Sequence, residues 1–115
     1  MKALNFYSTV YQANLLAAEK RCTIRLGDKR DKYREGDLVW VTYGNRYEPR
    51  QKLFTAVIDR VVVKPLGQLT PEELAAEDPN LKAPDELARF LERIYDRPVG
   101  LDETVSAVFF SRVLE

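Results

Sequence analysis

The chain switches between stretches with a two-residue hydrophobic period and stretches with the roughly 3.6-residue period of a helix, and these switches predict its elements in order. Ala3 to Tyr7 is a short apolar stretch with strand character. Thr9 and Gln12 have capping-box spacing, which predicts a helix from Val10 to about Lys20 with Tyr11, Leu15 and Ala18 on one stripe. From Cys22 to Leu26 the residues alternate, Cys22, Ile24 and Leu26 on one side and Thr23 and Arg25 on the other, as in a strand with one apolar face. Gly27 and Asp28 open a charged loop that Glu35-Gly36-Asp37 closes. Leu38 to Tyr43 is then dense in β-branched and aromatic residues. Trp40, flanked by Val39 and Val41, is expected in the core as a structural residue.

Gly44-Asn45 marks a turn before KLFTAVIDRVVVK, a long β-rich run over Lys52 to Lys64 with a bend or bulge expected at Asp59-Arg60. Pro65 and Gly67 end that run. Thr70 reads as an N-cap, with Pro71 at the first helical position, Glu73 reaching back and Pro79 stopping the helix early. A further helix starts at Pro84, carries Leu87, Phe90, Leu91, Ile94 and Tyr95 at helical spacing, and ends by Asp96 to Pro98; one of its faces is expected on the sheet. Glu103 to Leu114 is apolar enough on both sides to be a central closing strand. The order strand, helix, strands, two helices, strand is too short for a βαβ array. It predicts an α+β fold, a small β-barrel of about five to six mainly antiparallel strands with flanking helices.

Composition narrows this further. A chain of 115 residues with no repeat or linker reads as one domain spanning residues 1–115. Its apolar runs are too short to span a bilayer, so no membrane partner is expected and the protein is placed in the cytoplasm. One cysteine, Cys22, permits no internal disulfide, and the absence of histidine removes the usual zinc and haem ligand sets, so no metal or cofactor is expected. Net charge is zero, but residues 1–60 carry 12 Lys and Arg against 7 Asp and Glu, and residues 61–115 carry 6 against 11. Such a dipole can steer an anion to one face, or simply reflect pairing between the halves.

KRCTIR at 20–25, YREGDLVWV at 33–41, LGQLTPEELAAED at 66–78, RIY at 93–95 and VSAVFFSRV at 105–113 together resemble the ASCH (activating signal cointegrator homology) family of the PUA-like superfamily. The resemblance covers nearly the whole chain. It implies a compact PUA-like barrel with flanking helices and an association with RNA, and its best understood small bacterial members resemble amidohydrolases acting on acetylcytidine. The lysine, threonine and glutamate set of those enzymes falls on Lys20, Thr23 and Glu77, and the family arginine on Arg25. A longer loop from Gly44 to Lys52 and a longer stretch before the closing strand depart from the pattern and leave substrate choice open.

The chemistry is coherent for these residue types. A threonine hydroxyl needs a base, and without histidine a lysine made neutral by burial or by a neighbouring cation such as Arg25 is the natural candidate. Glu77 beside Lys20 would instead favour the charged ammonium, so either the glutamate moves the proton while Lys20 stabilises an oxyanion, or the two share it. Three functions follow: an RNA- or modified-nucleoside-binding pocket on Lys20, Thr23, Arg25 and Glu77; turnover of acetylcytidine by Lys20, Thr23 and Glu77; or a ribonuclease or non-catalytic interaction module in which the cluster is an ion-pair network, with an Arg25–Glu77 pair one form of it. Lys29, Arg30 and Tyr33 are candidate ligand contacts at the rim, with Tyr7 and Tyr11 as further aromatics. For Lys29, Arg30, Lys32 and Arg34 a solvated loop is the plain alternative. Cys22 is expected as an inert packed thiol, and Ser106 and Ser111 as strand filler. The sequence leaves the oligomeric state undetermined.

Overall fold

The computed structural model describes residues 1–6, 20–44 and 49–114. The expected helix from Val10, with Tyr7, Tyr11 and the turn residue Asn45, lies outside the described residues. Five strands, β1 (Lys2–Phe6), β2 (Cys22–Leu26), β3 (Leu38–Tyr43), β4 (Gln51–Pro65) and β5 (Thr104–Arg112), form one sheet in the order β1-β3-β4-β5-β2. β1 runs parallel to β3, and the other pairings are antiparallel. The closing strand is internal, between β4 and β2, as its two apolar sides require.

β4 gives the sheet its curl. Its first half pairs with β3 and its second with β5, and the register slips between Ile58 and Arg60. The extra residue there, Asp59, falls at the expected break; a bulge adds twist locally and lets one long strand serve two differently oriented partners. The result is an α+β curled half-barrel.

Each face of the sheet has its own core. Leu4, Phe6, Val39, Val41, Phe54 and Val108 pack on one face, which is concave because side chains of the two edge strands meet across it. On the other, Cys22, Ile24 and Leu26 pack against Leu74 of α1 (Pro71–Glu77) and Leu87 and Leu91 of α2 (Pro84–Tyr95). α1 begins as the sequence predicts. The Glu73 N–H donates to Thr70 Oγ1 at 3.1 Å while Glu73 Oε1 accepts from the Thr70 N–H at 2.8 Å.

Two packing expectations are corrected. Trp40 is 43% exposed, because burying Val39 and Val41 on the concave face turns the residue between them outward, where the Lys52 ammonium lies 5.5 Å from its ring. Ile94 and Tyr95 are exposed in the last turn of α2, past the buried stripe of Leu87, Ala88 and Leu91. No described helix is long and apolar enough to cross a membrane.

Candidate functional site

The site begins where α1 ends against the entry to β2. As an edge strand, β2 leaves alternate N–H groups unpaired. One of them, on Ile24, donates to Glu77 Oε2 at 2.8 Å. The other carboxylate oxygen, Oε1, meets the Lys20 ammonium at 2.7 Å, and the same ammonium donates to the Glu77 main-chain carbonyl at 2.9 Å. The Arg21 N–H donates to the Ala76 carbonyl at 3.0 Å. Lys20 and Arg21 thus satisfy carbonyls that the last turn of a helix leaves open, and a cation is favoured at that end of the helix dipole. The Lys20 and Glu77 side chains are 1% and 6% exposed, so this is a buried ion pair.

Thr23 and Arg25 project from the opposite side of β2 to Cys22, toward the concave face. Arg25 Nε donates to Thr23 Oγ1 at 3.2 Å, and Arg25 Nη2 donates to the Asn5 main-chain carbonyl at 2.9 Å. That second bond joins β1 to β2, the two edges of the sheet, by a side chain instead of a strand pairing. Phe6 sits at the same seam. The Lys20 ammonium and the Arg25 guanidinium each lie 5.4 Å from its ring centroid, so the face of one buried aromatic ring attracts both cations. Lys20 and Arg25 therefore meet at Phe6, with Glu77 bonded to the first and Thr23 to the second. The Arg25–Glu77 pair that the sequence allowed does not form: Glu77 takes Lys20 and the Ile24 N–H, and Arg25 takes Thr23 and Asn5.

The rim residues have different positions. Arg30 pairs with Asp28 at 2.5 Å on the exposed loop, which holds that carboxyl below its usual range through its hydrogen bonds to Arg30. Lys29 is tied by its backbone, whose N–H donates to Ser106 Oγ at 2.8 Å, and that hydroxyl donates to the Gly27 carbonyl at 2.7 Å. Ser106 thus fastens the loop to β5, a role beyond strand filler. Gly27, at φ 87°, supplies the left-handed turn by which the chain leaves β2 for this loop. Tyr33 requires correction. It is 1% exposed, packs in the concave core and donates its hydroxyl to the Ala3 carbonyl at 3.1 Å, so its ring stabilises the loop from beneath and does not line the rim.

Burial raises the Cys22 thiol far above its ordinary value, and the nearby Glu77 carboxylate adds to this, so Cys22 is an inert packed thiol. Among the described residues no group of three or more Asp, Glu or Cys is placed to hold a metal ion.

Asn5 and Phe6 complete the cluster, and sequence reasoning passed over both. Asn5 is buried, accepts from Thr42 Oγ1 at 2.8 Å and donates its side-chain amide to the Gly44 carbonyl at 3.3 Å. The available signal was a lone asparagine between Leu4 and Phe6 in an apolar strand, which marks a buried polar group in need of partners.

No protein-family model matches the sequence, and no curated protein matches it. Solved structures do share the fold. An ASCH domain from Lactobacillus crispatus JV V101 is 20% identical, with a TM-score of 0.68 over 96% of this chain and 78% of that one. Protein EF3133 from Enterococcus faecalis V583, assigned to DUF984, is 16% identical, with a TM-score of 0.74 over 98% of this chain and 80% of its own. The hypothetical protein PH0355 is 18% identical at a TM-score of 0.69, over 98% of this chain and 100% of the other. The chain therefore shares the fold of these structures, one of which is an ASCH domain.

Proposed function

With an ASCH-type fold as the premise, we propose that this protein binds RNA or a modified nucleoside through the cluster of Lys20, Thr23, Arg25 and Glu77. The observation that carries this reading is the convergence of Lys20 and Arg25 on Phe6, with Thr23 bonded to Arg25 and Glu77 bonded to Lys20. Arg25 is the half-buried member and the one open to a ligand. Its planar fork, oriented by Thr23 and Asn5, suits the carbonyl edge of a base or a phosphate oxygen. On the loop beyond Gly27, Lys29 adds positive charge, while Arg30 would exchange Asp28 for a phosphate.

Titration of labelled single-stranded and structured RNA at several salt concentrations tests this. Affinity that falls steeply with salt, as phosphate neutralisation releases counterions, and that drops in Arg25→Ala, is the expected result. Affinity unaffected by salt and by Arg25→Ala would remove the reading.

The contact between Lys20 and Glu77 favours one second reading, hydrolysis of N-acetylcytidine to cytidine and acetate. An ammonium and a carboxylate in direct contact can pass a proton between them, and a fixed cation beside Thr23 can stabilise the oxyanion formed when the amide carbonyl is attacked. Acetate release from acetylcytidine, compared with Lys20→Ala, Thr23→Ala, Glu77→Ala and the triple variant, decides it. Release no greater than in the triple variant rules turnover out.

A further inference from the structure

A cleft of about 560 Å³ is bordered by α1, β4 and β5. This lies within the roughly 300–1,000 Å³ of small-molecule sites. Its walls include Arg21, Arg60, Val62, Glu72, Ala76 and Phe109. Phe109 is the register partner of Cys22, and Val108 is the partner of Thr23. Neighbouring residues on a strand face opposite ways, so this cleft is on the helix-covered face, away from Thr23 and Arg25.

Three features give the cleft its chemistry. The Arg60 guanidinium lies 4.1 Å over the Phe109 ring, a cation seated on an aromatic face. Such a guanidinium leaves a face on which a nucleobase can stack, with Val62 and Ala76 as apolar walls. Second, Arg21 projects from a clamped backbone: its N–H is bonded to Ala76 and its carbonyl accepts from the Phe110 N–H, both at 3.0 Å. Neither guanidinium has an ion-pair or hydrogen-bond partner among the described residues. Arg21 is thus available to a phosphate, while Arg60 keeps its outer face for a base. Third, the cleft holds carboxylate acceptors. Glu73 is committed to Lys64 and Thr70, whereas Glu72 is exposed without a partner among the described residues, and Asp59 takes a single bond from Ser111 Oγ at 2.5 Å. Carboxylates beside a phosphate-binding guanidinium disfavour a bare polyanion and suit hydroxyl donors such as those of ribose.

We propose that this cleft is a second nucleic-acid site that takes one ribonucleotide, its base on Arg60, its phosphate on Arg21 and its ribose hydroxyls toward Glu72 and Asp59. This rests on the RNA or nucleoside reading of the concave cluster and adds a contact on the opposite face. The ribonucleotide comes either from a single-stranded RNA or from a free nucleoside monophosphate.

The test uses the whole chain in three measurements. Amide shifts are followed on titration with cytidine monophosphate, and affinities are measured for a labelled single-stranded RNA and for the DNA of the same sequence. The variants are Arg21→Ala with Arg60→Met, which keeps an aliphatic chain over Phe109, and Arg25→Ala on the other face. Shifts at Val62, Ala76 and Phe109, or an RNA affinity lowered tenfold or more with a smaller salt slope in the double variant, support the site. Shifts without an RNA effect assign it to the free nucleotide, and the reverse assigns it to RNA. Unchanged RNA affinity in the double variant, with shifts confined to Thr23 and Arg25, overturns this site and leaves the concave reading in place. Equal affinity for DNA and RNA overturns the ribonucleotide assignment. No shift and no RNA affinity in the unmodified protein overturns both.

Discussion

Lys20 and Glu77, 57 residues apart in sequence, meet at 2.7 Å with both side chains almost wholly removed from water. Glu77 also accepts from the Ile24 N–H, and Lys20 donates to the Glu77 carbonyl, so the pair bonds α1 to the entry of β2 by three contacts. Any role of these residues toward a ligand rests on this arrangement, and so does the docking of α1.

Removing one partner of a buried pair strands the other charge, which costs about 3–5 kcal/mol. Glu77→Ala and Lys20→Ala are each expected to lower stability by that order in urea unfolding. The double variant Lys20→Met with Glu77→Leu is expected to recover part of the loss, since apolar replacements carry no charge to desolvate, although the Ile24 N–H and the Glu77 carbonyl lose their side-chain partners. A double variant as unstable as the sum of the singles would show that the two charges are not coupled. Any acetylcytidine hydrolysis should vanish in the stable double variant too, which separates chemistry from folding.

Arg25 joins the sheet edges through Asn5 and Thr23. Arg25→Ala is expected to cost about 1–3 kcal/mol, the range for losing charge-assisted hydrogen bonds, and to speed amide exchange in β1 more than in β4 or β5. Arg25→Lys should restore little, because one ammonium cannot reproduce the Nε and Nη2 fork. Uniform exchange across the sheet would place the seam elsewhere.

The buried Cys22 thiol should resist a disulfide reagent in the native protein and react at once in denaturant. Its ordinary value is 9.0, and the folded value lies well above that. Above pH 9 the unfolded chain therefore releases a proton that the folded chain keeps. Stability falls as pH rises there, by up to about 1.4 kcal/mol per unit, and is insensitive to this group below pH 9. Cys22→Ala should flatten that alkaline limb.

Glu73 behaves in the opposite sense. Burial pushes its carboxyl upward, but the Lys64 ammonium and the Thr70 N–H outweigh it and hold the group below its ordinary 4.5. A lowered folded value contributes stability above pH 4.5 that is lost as pH falls through the folded value. Acid titration by circular dichroism should show that limb, and Glu73→Gln should reduce it. Thr70→Ala, which removes the cap, is expected to cost about 1 kcal/mol at neutral pH.

Local rules reach far into this chain. Strand periods located β1 to β5, turn residues bounded them, the Asp59-Arg60 break marked the bulge in β4, and Thr70, Pro71 and Glu73 specified the start of α1. Each depends on contacts within a few residues, which a sequence carries on its face. Lys20, Thr23, Arg25 and Glu77 were marked by the ASCH resemblance alone.

What only the tertiary structure decided is how those residues pair. Glu77 took Lys20 instead of Arg25 because α1 docks its C-terminal end on the entry to β2. Trp40 turned outward because a run of apolar residues on β3 does not declare which face the curl will bury, and Tyr33 turned inward because its loop folds back under Ala3. Asn5 and Phe6 entered the site because curling brings β1 and β2, the first and last strands of the sheet, to one seam. Strand order, curl and helix docking are properties of the whole chain. Periodicity within each strand determines its two faces, while the way the sheet closes determines which residues those faces meet.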